Sequence, residues 1–257
     1  MRTSSLLLLL SLAPALAGAQ GNPNPVPADP SRWPQHSMER PRPANVTPGP
    51  FATVPAPSDA IVLMDGKSLA KWRATDSAMG PARWTIANGY VEVAPGTGAI
   101  ATRDSFGDVQ LHIEWKSPVP AVGESQHRGN SGVFFMGTYE VQILDTYHND
   151  TYADGMAGGF YGQFPPLVNP IRPPTEWNSY DIVFHRPHFD ASGKVTAPAR
   201  MTVFFNGVLV QDDQALIGPT SHGERAPYEA HADALPIELQ DHEFKVRFRN
   251  IWVRRLE

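Results

Sequence analysis

Eight consecutive residues, Val109 to Lys116, alternate between apolar and polar side chains without interruption. A period of two is typical of a β-strand that has one face against a core. The apolar residues of this segment are therefore predicted to face a core. The polar residues, which include His112 and Glu114, are predicted to face solvent or a groove.

Similar short segments recur along the chain, separated by glycine, proline and asparagine. Two Asn-Gly pairs, Asn88-Gly89 and Asn206-Gly207, each lie between two alternating segments, which is the strongest local signal of a β-hairpin. The sequence contains no convincing amphipathic helix and no repeat of fixed period. These observations predict an all-β fold in which two sheets pack as a sandwich.

The segment Tyr139–Ile143 also alternates, and its polar face carries a carboxylate and an amide. Glu140 and Gln142 share that face, with their side chains about 6–7 Å apart. A turn at Gly129–Gly132 and a short apolar run precede the segment, so we expect a sheet with a core side and a polar side. Asp145 falls on the opposite face in strict alternation. It reaches the polar face only if the strand ends, bulges or twists before it.

The first 19 residues have the form of a secretory signal peptide. Arg2 is followed by the apolar run Leu6–Leu10, and small residues allow cleavage after Ala17 or Ala19. The apolar run is shorter than the ~20 residues that span a bilayer. We therefore expect an exported protein, periplasmic or secreted.

Residues 20–58 are predicted to form a flexible, proline-rich tether. Eleven prolines lie between Gly21 and Pro57, with almost no apolar periodicity. The alternative is an arm that wraps the domain or binds a partner, with Trp33 and Phe51 as the residues that could dock. The folded domain is expected to occupy residues 59–257.

Composition excludes several classes of function. The chain has no cysteine, which rules out disulfides, a thiol nucleophile and thiolate metal sites. Its net charge of -5 provides no basic field for nucleic acid. A Ser-His-Asp hydrolase is disfavoured, because the sequence lacks a G-x-S-x-G motif.

Several segments, in the same order, resemble the 3-keto-disaccharide hydrolase family. The resemblance runs from about Asp59 to the C-terminus and implies a concanavalin A-like jelly roll of the lectin/glucanase superfamily. It also implies a concave sugar-binding face and hydrolysis of glycosides that carry a ketone at C3. The matching segments are Leu63–Trp72, Gly129–Gly132, Tyr139–Asp145, Glu176–Asn178, Phe205–Gly207, and Leu239–His242 with Phe248–Ile251.

The pattern E-x-Q-x-x-D at Glu140, Gln142 and Asp145 is similar to the E-x-D-x-x-E strand of family-16 glycosidases. A retaining glycosidase needs two carboxyl groups about 5–5.5 Å apart, and here an amide replaces the middle acid. A C3 ketone offers another route, because it acidifies the C2 hydrogen. Removal of that proton by a base permits elimination of the C1 substituent, and addition of water completes hydrolysis.

This chemistry needs a base, an acid and groups that bind hydroxyls or an oxyanion. The candidates for base and acid are Glu140, Asp145 and His242, with Glu140 preferred as the central residue. The candidates for substrate binding are Arg128, Asn130, Gln142 and Gln240, with Trp177 beside Asn178 as a platform on which a sugar ring could stack.

Three alternatives stay open at this point. Glu140 could simply be solvated on a polar sheet face, and the domain could be a non-catalytic, lectin-like carbohydrate-binding module or a family-16-like glucanase. The sequence requires no cofactor. A divalent metal is compatible with Asp145, His148 and Asp154, although their spacing matches no recognised ligand pattern.

Overall fold

The computed structural model describes residues 32–76 and 78–256. The signal peptide predicted over residues 1–19 lies outside these ranges, as do residues 20–31 of the predicted tether. The described residues form strands and loops, with 3-10 turns at Ser125–His127 and Ala153–Gly155. Within these ranges no helix is long and apolar enough to cross a membrane.

The strands, numbered in chain order, are β1 (Ile61–Met64), β2 (Trp72–Ala74), β3 (Thr85–Ala87), β4 (Tyr90–Glu92), β5 (Ile100–Thr102), β6 (Val109–Lys116), β7 (Ser131–Phe135), β8 (Tyr139–Ile143), β9 (Asn178–His185), β10 (His188–Phe189), β11 (Val195–Ala197), β12 (Arg200–Phe205), β13 (Val208–Ala215), β14 (Glu238–Leu239) and β15 (Arg247–Arg255).

Two antiparallel sheets form the sandwich, and β10 and β11 pair as a separate two-stranded antiparallel sheet. The larger has eight strands in the order β13-β12-β9-β6-β15-β4-β3, with β1 also paired to β15, and the smaller has the order β2-β5-β14-β7-β8. Apolar residues of both sheets, such as Trp115 on β6 and Val141 on β8, are fully buried in one common cluster. The predicted all-β, two-sheet jelly-roll sandwich is confirmed.

Both predicted Asn-Gly hairpins are present. Asn88-Gly89 joins β3 to β4, and Asn206-Gly207 joins β12 to β13. In each pair both residues have positive φ, close to 50° for the asparagine and 78° for the glycine. These angles are those of a type I′ turn, whose twist matches that of the flanking strands.

The polar face of β6 differs from the sequence-based expectation. His112 and Glu114 are fully buried, although they point away from the core that β6 shares with the smaller sheet. His112 lies 2.7 Å from Asp181, and Glu114 accepts hydrogen bonds from Arg249 at 2.6 Å and Asn250 at 2.8 Å. Alternation reports on which side of a sheet a residue lies, but not on what covers that side.

The flexible tether predicted for residues 20–58 is wrong for its described part, residues 32–58. This segment, which we call the N-terminal arm, lies against the domain. Val46 donates its backbone N–H to the Asn169 carbonyl at 3.1 Å, and the Phe51 ring lies 5.8 Å from the Arg249 guanidinium. The Val54 carbonyl accepts from Asn250 at 2.8 Å. Backbone and single side-chain contacts of this kind leave no periodic signal in a sequence.

Candidate functional site

A cavity of about 300 Å³ opens on the polar face of β7 and β8. We call it the Glu140 cavity. One wall of the cavity belongs to the smaller sheet, and the opposite wall belongs to the loops that carry Tyr161 and residues 220–222. The lining residues are Asn130, Phe134, Glu140, Gln142, Tyr161, Thr220, Ser221, His222, Gln240 and His242.

Strand register explains why these side chains meet. Glu140 lies opposite Phe134, and Gln142 lies opposite Gly132. On the other side of β7, Gln240 donates its backbone N–H to the Gly132 carbonyl at 3.1 Å. Residues directly opposite each other in an antiparallel pair project from the same face. Gly132 has no side chain, so its position forms an open floor between the two glutamine residues.

Glu140 is the central ionisable group of the cavity. Glu140 is only 4 % exposed, and this burial raises the pKa of its carboxyl group to about 8. Its backbone N–H donates to Thr220 Oγ1 at 3.0 Å, which ties a lining loop to β8. A carboxyl group with this pKa is mostly protonated at neutral pH and is a much stronger base than an ordinary glutamate once it ionises.

The side-chain amide of Gln142 contacts this carboxyl group. The amide lies 2.9 Å from both Glu140 Oε1 and the Ser131 carbonyl on one side and 3.0 Å from Gln126 Oε1 on the other; with its nitrogen turned toward Glu140, it donates to the first two. That orientation places an N–H group opposite each of two acceptors. Gln142 therefore orients the carboxyl group from the next position on the same strand face.

Gln240 offers an unused acceptor to the cavity. Its Oε1 atom is buried and has no hydrogen-bond partner among the described residues. A buried carbonyl oxygen left unpaired is costly unless a ligand or water donates to it. A sugar hydroxyl is a donor of the right kind.

Tyr161 contributes a phenol on the loop side. Its hydroxyl lies 2.7 Å from that of Tyr152. Burial raises the pKa of Tyr161; the hydrogen bond with Tyr152 partly offsets this, and the negative charge of Asp154 adds to it, so the net pKa is raised. The phenol therefore stays protonated and able to donate. Phe160, the residue before Tyr161, is fully buried in the core.

His242 and Asn130 complete the predicted residues that line the cavity. The His242 ring is stacked on Phe244, with ring centroids 6.2 Å apart. Asn130 donates from Nδ2 to the Gln126 carbonyl at 3.0 Å. Five of the nine predicted site residues thus converge on one cavity: Asn130, Glu140, Gln142, Gln240 and His242.

Asp145 and Arg128, predicted as a catalytic and a binding residue, do not line the Glu140 cavity. Arg128 Nε donates to Asp145 Oδ2 at 2.8 Å, and the pair lines a separate groove against residues 118–123. β8 ends at Ile143, and Asp145 then accepts from the backbone N–H of Tyr147 at 3.1 Å. Strict alternation allows Asp145 to reach the polar face only if the strand ends before it. The strand does end there, but the Asp145 side chain pairs with Arg128 and does not enter the cavity.

Trp177 and Asn178 also lie away from the Glu140 cavity, on the larger sheet. The Trp177 ring is 4.0 Å from the Arg249 guanidinium, so one of its faces is already covered. Asn178 is fully buried and accepts hydrogen bonds from the Arg172 backbone and the Asn206 amide. Trp177, predicted as a sugar platform, and Asn178, predicted as a binding residue, are therefore not placed to contact a sugar in the Glu140 cavity, because β9 belongs to the opposite layer of the sandwich.

The sequence-based prediction missed the loop residues Thr220, Ser221 and His222. They lie in a polar, turn-rich stretch that has no periodic signal, and only its pairing with β8 brings it to the cavity. Phe134 belongs to the short apolar run before Tyr139–Ile143, a pattern typical of a buried strand, but its ring faces the cavity beside Glu140. Without the strand register, the sequence does not show on which side of the sheet this ring lies.

Within residues 32–76 and 78–256, no group of three or more histidine or acidic residues is arranged to hold a metal ion. Asp145 pairs with Arg128, and Asp154 lies 3.8 Å from Arg40.

Comparisons with known proteins agree with this fold. A candidate glycosyl hydrolase from Parabacteroides distasonis, solved at 2.13 Å, is 43% identical with a TM-score of 0.77, over 84% of this chain and 93% of that one. A second candidate glycosyl hydrolase of that organism, solved at 1.70 Å, is 18% identical with a TM-score of 0.54. The match covers 77% of this chain and 94% of that one. At that identity the second match shows the fold alone.

A 3-keto-disaccharide hydrolase from Bacteroides thetaiotaomicron is 24% identical over 163 residues, which are 49% of this chain. The match spans about half, 52%, of that relative's length. The sequence also matches, over residues 59–254, the family described as the 3-keto-alpha-glucoside-1,2-lyase-like domain. The chain therefore belongs to the 3-keto-alpha-glucoside-1,2-lyase-like domain family.

Proposed function

We propose that the protein is an exported glycosidase that cleaves 3-keto-glycosides, with Glu140 as the base that removes the C2 proton. The observation that carries this proposal is a single carboxyl group, buried in a sugar-sized cavity, whose pKa is raised to about 8. Strongly perturbed pKa values in a cleft are typical of catalytic groups. The description of the family and the name of the relative from B. thetaiotaomicron support the same substrate class.

The proposed reaction begins with proton transfer from C2 to the Glu140 carboxylate. The C–H electron pair forms an enediolate, whose oxyanion at C3 is stabilised by hydrogen-bond donors. Collapse of the enediolate restores the ketone, forms the C1–C2 double bond and expels the C1 oxygen, which takes up a proton. Addition of water then places hydroxyl on C1 and hydrogen on C2. The first part is a lyase reaction, and the two parts together are a hydrolysis.

The other lining residues fit supporting roles. Gln142 orients the Glu140 carboxyl group, and Gln240 Oε1 is free to accept from a sugar hydroxyl. Tyr161, a protonated phenol, and His242 are the groups available to donate a proton to the leaving oxygen or the oxyanion.

Two other functions fit the cavity less well. A family-16-like glucanase requires a second carboxyl group about 5–5.5 Å from the first, but Glu140 is the single carboxylate among the lining residues. A lectin-like module binds hydroxyl groups without any need for a buried carboxyl group of raised pKa. The exported location rests on the signal peptide predicted over residues 1–19.

The direct test is turnover of a 3-keto-glucoside in D₂O. We expect release of the aglycone and incorporation of one deuterium at C2 of the sugar product, with no turnover of the unoxidised glucoside. Free 3-keto-glucose incubated with the protein for the same time measures background exchange. Binding without release would support the lectin-like module. Cleavage of the unoxidised glucoside without deuterium at C2 would support the glucanase.

A second prediction concerns the floor of the cavity. Gly132→Ala is expected to lower kcat/KM about 100-fold, since displacing a reacting group by about 1 Å has an effect of that size. A Cβ atom at this position would lie 2.3 Å from Glu140 Oε1 and 2.8 Å from Phe134 Cε2, so the carboxyl group must move.

The measurement is kcat/KM together with the thermal unfolding midpoint. Gly80→Ala is the matched control, because a Cβ atom there meets nothing within 4 Å and should change neither quantity. An unchanged kcat/KM in Gly132→Ala would mean that the position of the Glu140 carboxyl group does not matter.

A further inference from the structure

We propose that the N-terminal arm is a working part of the active site: Gln35 and His36 position Tyr161 and the loop 220–222, which form the wall of the Glu140 cavity opposite β8. This inference rests on the proposed function for its catalytic readout. Its structural part, the coupling of the arm to the cavity wall, is testable without substrate.

His36 makes three aromatic contacts on the outer side of that wall. Its ring is stacked on Tyr152 with a centroid distance of 4.3 Å, and it lies 4.9 Å from Tyr161 and 5.2 Å from His222. Tyr161 and His222 both line the cavity. One arm side chain therefore supports the two lining rings from behind, as well as the tyrosine whose hydroxyl contacts Tyr161.

His36 is also held in an uncommon backbone conformation. Its φ is 62°, in the left-handed region that residues other than glycine seldom adopt. Residues held in such conformations are maintained by surrounding contacts and concentrate at functional sites. Here the contacts that hold His36 are those with the rings of the cavity wall.

Gln35 fixes the loop itself. Its Nε2 donates to the Ser221 carbonyl at 2.7 Å, and Ser221 lines the cavity. Gly162, next to Tyr161, allows this approach. A Cβ atom on Gly162 would lie 1.9 Å from Gln35 Nε2, so the domain leaves room for the arm at this point.

Buried charges anchor the same stretch of the arm. Asp154 is fully buried; it accepts from the His36 backbone N–H at 3.3 Å and lies 3.8 Å from Arg40. Arg225 lies 3.9 Å from Asp154 and donates to the Trp33 carbonyl at 3.1 Å. Arg40 further donates to the Gln163 carbonyl at 3.1 Å. These contacts connect the arm to the loops before and after Tyr161 and His222.

The wall of the Glu140 cavity opposite β8 is therefore complete only when the N-terminal arm is in place. Without Gln35 and His36, the Tyr161 ring and the loop 220–222 lose their outer support and gain freedom to move. A misplaced proton donor or binding group lowers the rate steeply, since about 1 Å of displacement can change it about 100-fold. Neither Gln35 nor His36 lines the cavity, so both are positioning residues.

The test compares His36→Ala, Gln35→Ala and His36→Phe in the otherwise complete chain. Met38→Ala is the matched control, because Met38 lies on the same arm and is 62% exposed. We expect His36→Ala and Gln35→Ala each to lower kcat/KM for a 3-keto-glucoside about tenfold or more. His36→Phe, which keeps an aromatic ring against Tyr152, should recover most of the loss, and Met38→Ala should have no effect.

Hydrogen–deuterium exchange without substrate is the second measurement. His36→Ala should increase backbone exchange at least tenfold at residues 160–163 and 218–222, where Gly162 N–H and Thr220 N–H are hydrogen-bonded, and leave β6 and β15 unchanged. If the wild type did not turn over a 3-keto-glucoside but His36→Ala still increased the exchange, the structural role of the arm would stand and the proposed function would be wrong. Unchanged exchange and unchanged kcat/KM in both alanine variants would overturn the arm's role.

Discussion

Glu140→Gln is expected to lower kcat for a 3-keto-glucoside about 10³-fold, with a much smaller change in KM. Proton transfer by a positioned base contributes about 10²–10⁴-fold, and the amide keeps the size of the carboxyl group while removing its basicity. Deuterium incorporation at C2 should disappear together with aglycone release, because both follow from the same proton abstraction. The measurements are steady-state kinetics and isotope analysis of the product.

Glu238→Gln is the matched control for this substitution. Glu238 lies opposite Phe134 on β14, so it shares a sheet face with Glu140, and burial likewise raises its pKa. It does not line the Glu140 cavity, and its variant should keep kcat within about threefold. If Glu140→Gln retained wild-type kcat, Glu140 would not be the base.

The pH dependence of kcat/KM in the wild type is an independent test of Glu140 as the base. The pKa of Glu140 is raised to about 8 by burial, so the carboxyl group is protonated below that pH and available as a base only above it. We expect kcat/KM to rise with pH and to level off above about 8. A fall through the same range would instead identify the protonated carboxyl group as the catalytic acid.

The fold and the centre of the site were predictable because both depend on alternation along single strands. A period of two in Tyr139–Ile143 separates the core-facing residues from Glu140 and Gln142, whatever the rest of the chain does. Gln240 and His242, two positions apart just after β14, were predicted to share a face from that spacing, and both line the cavity. Asn-Gly pairs fixed the two hairpins because type I′ turns require positive φ at both positions.

The remaining features depend on contacts between segments that are distant in the chain. Asp145 takes Arg128 as a partner, and Trp177 is covered by Arg249; neither pairing has a local signal. The loop 220–222 and the N-terminal arm reach the cavity through single hydrogen bonds and ring contacts. Their prediction would require the register and layer of every strand, which alternation does not supply.

Glu114→Gln is expected to lower the free energy of unfolding by about 3 kcal/mol. Glu114 lies on the larger sheet, away from the Glu140 cavity, so this effect concerns stability and not catalysis. Removing one partner of a buried ion pair typically costs about 3–5 kcal/mol. We expect the low end, because Arg249 is 30% exposed while Glu114 is fully buried. Denaturant unfolding measures the change, and kcat of the folded fraction should stay within about twofold.

Glu92→Gln is the matched control, because Glu92 also accepts from an arginine of β15, Arg247, at 2.7 Å. Glu92 and Arg247 are 19% and 29% exposed, so breaking this pair should cost only about 0–1 kcal/mol. Equal losses in Glu92→Gln and Glu114→Gln would show that burial of Glu114 adds nothing to its ion pair.

The pH dependence of this difference follows from the two buried groups. Burial raises the pKa of Glu114, but the His112 ring 3.7 Å away and the hydrogen bonds from Asn250 and Arg249 outweigh it, so the net pKa is lowered. Burial lowers the pKa of His112, but its hydrogen bond to Asp181 and the Glu114 carboxylate 3.7 Å away outweigh it, so the net pKa is raised. The Glu114 contribution is lost as pH falls through its lowered value, and the His112 contribution as pH rises through its raised value. The difference between wild type and Glu114→Gln should therefore be largest between the ordinary values, 4.5 and 6.5, and a difference that kept growing above that range would contradict the His112–Glu114 coupling.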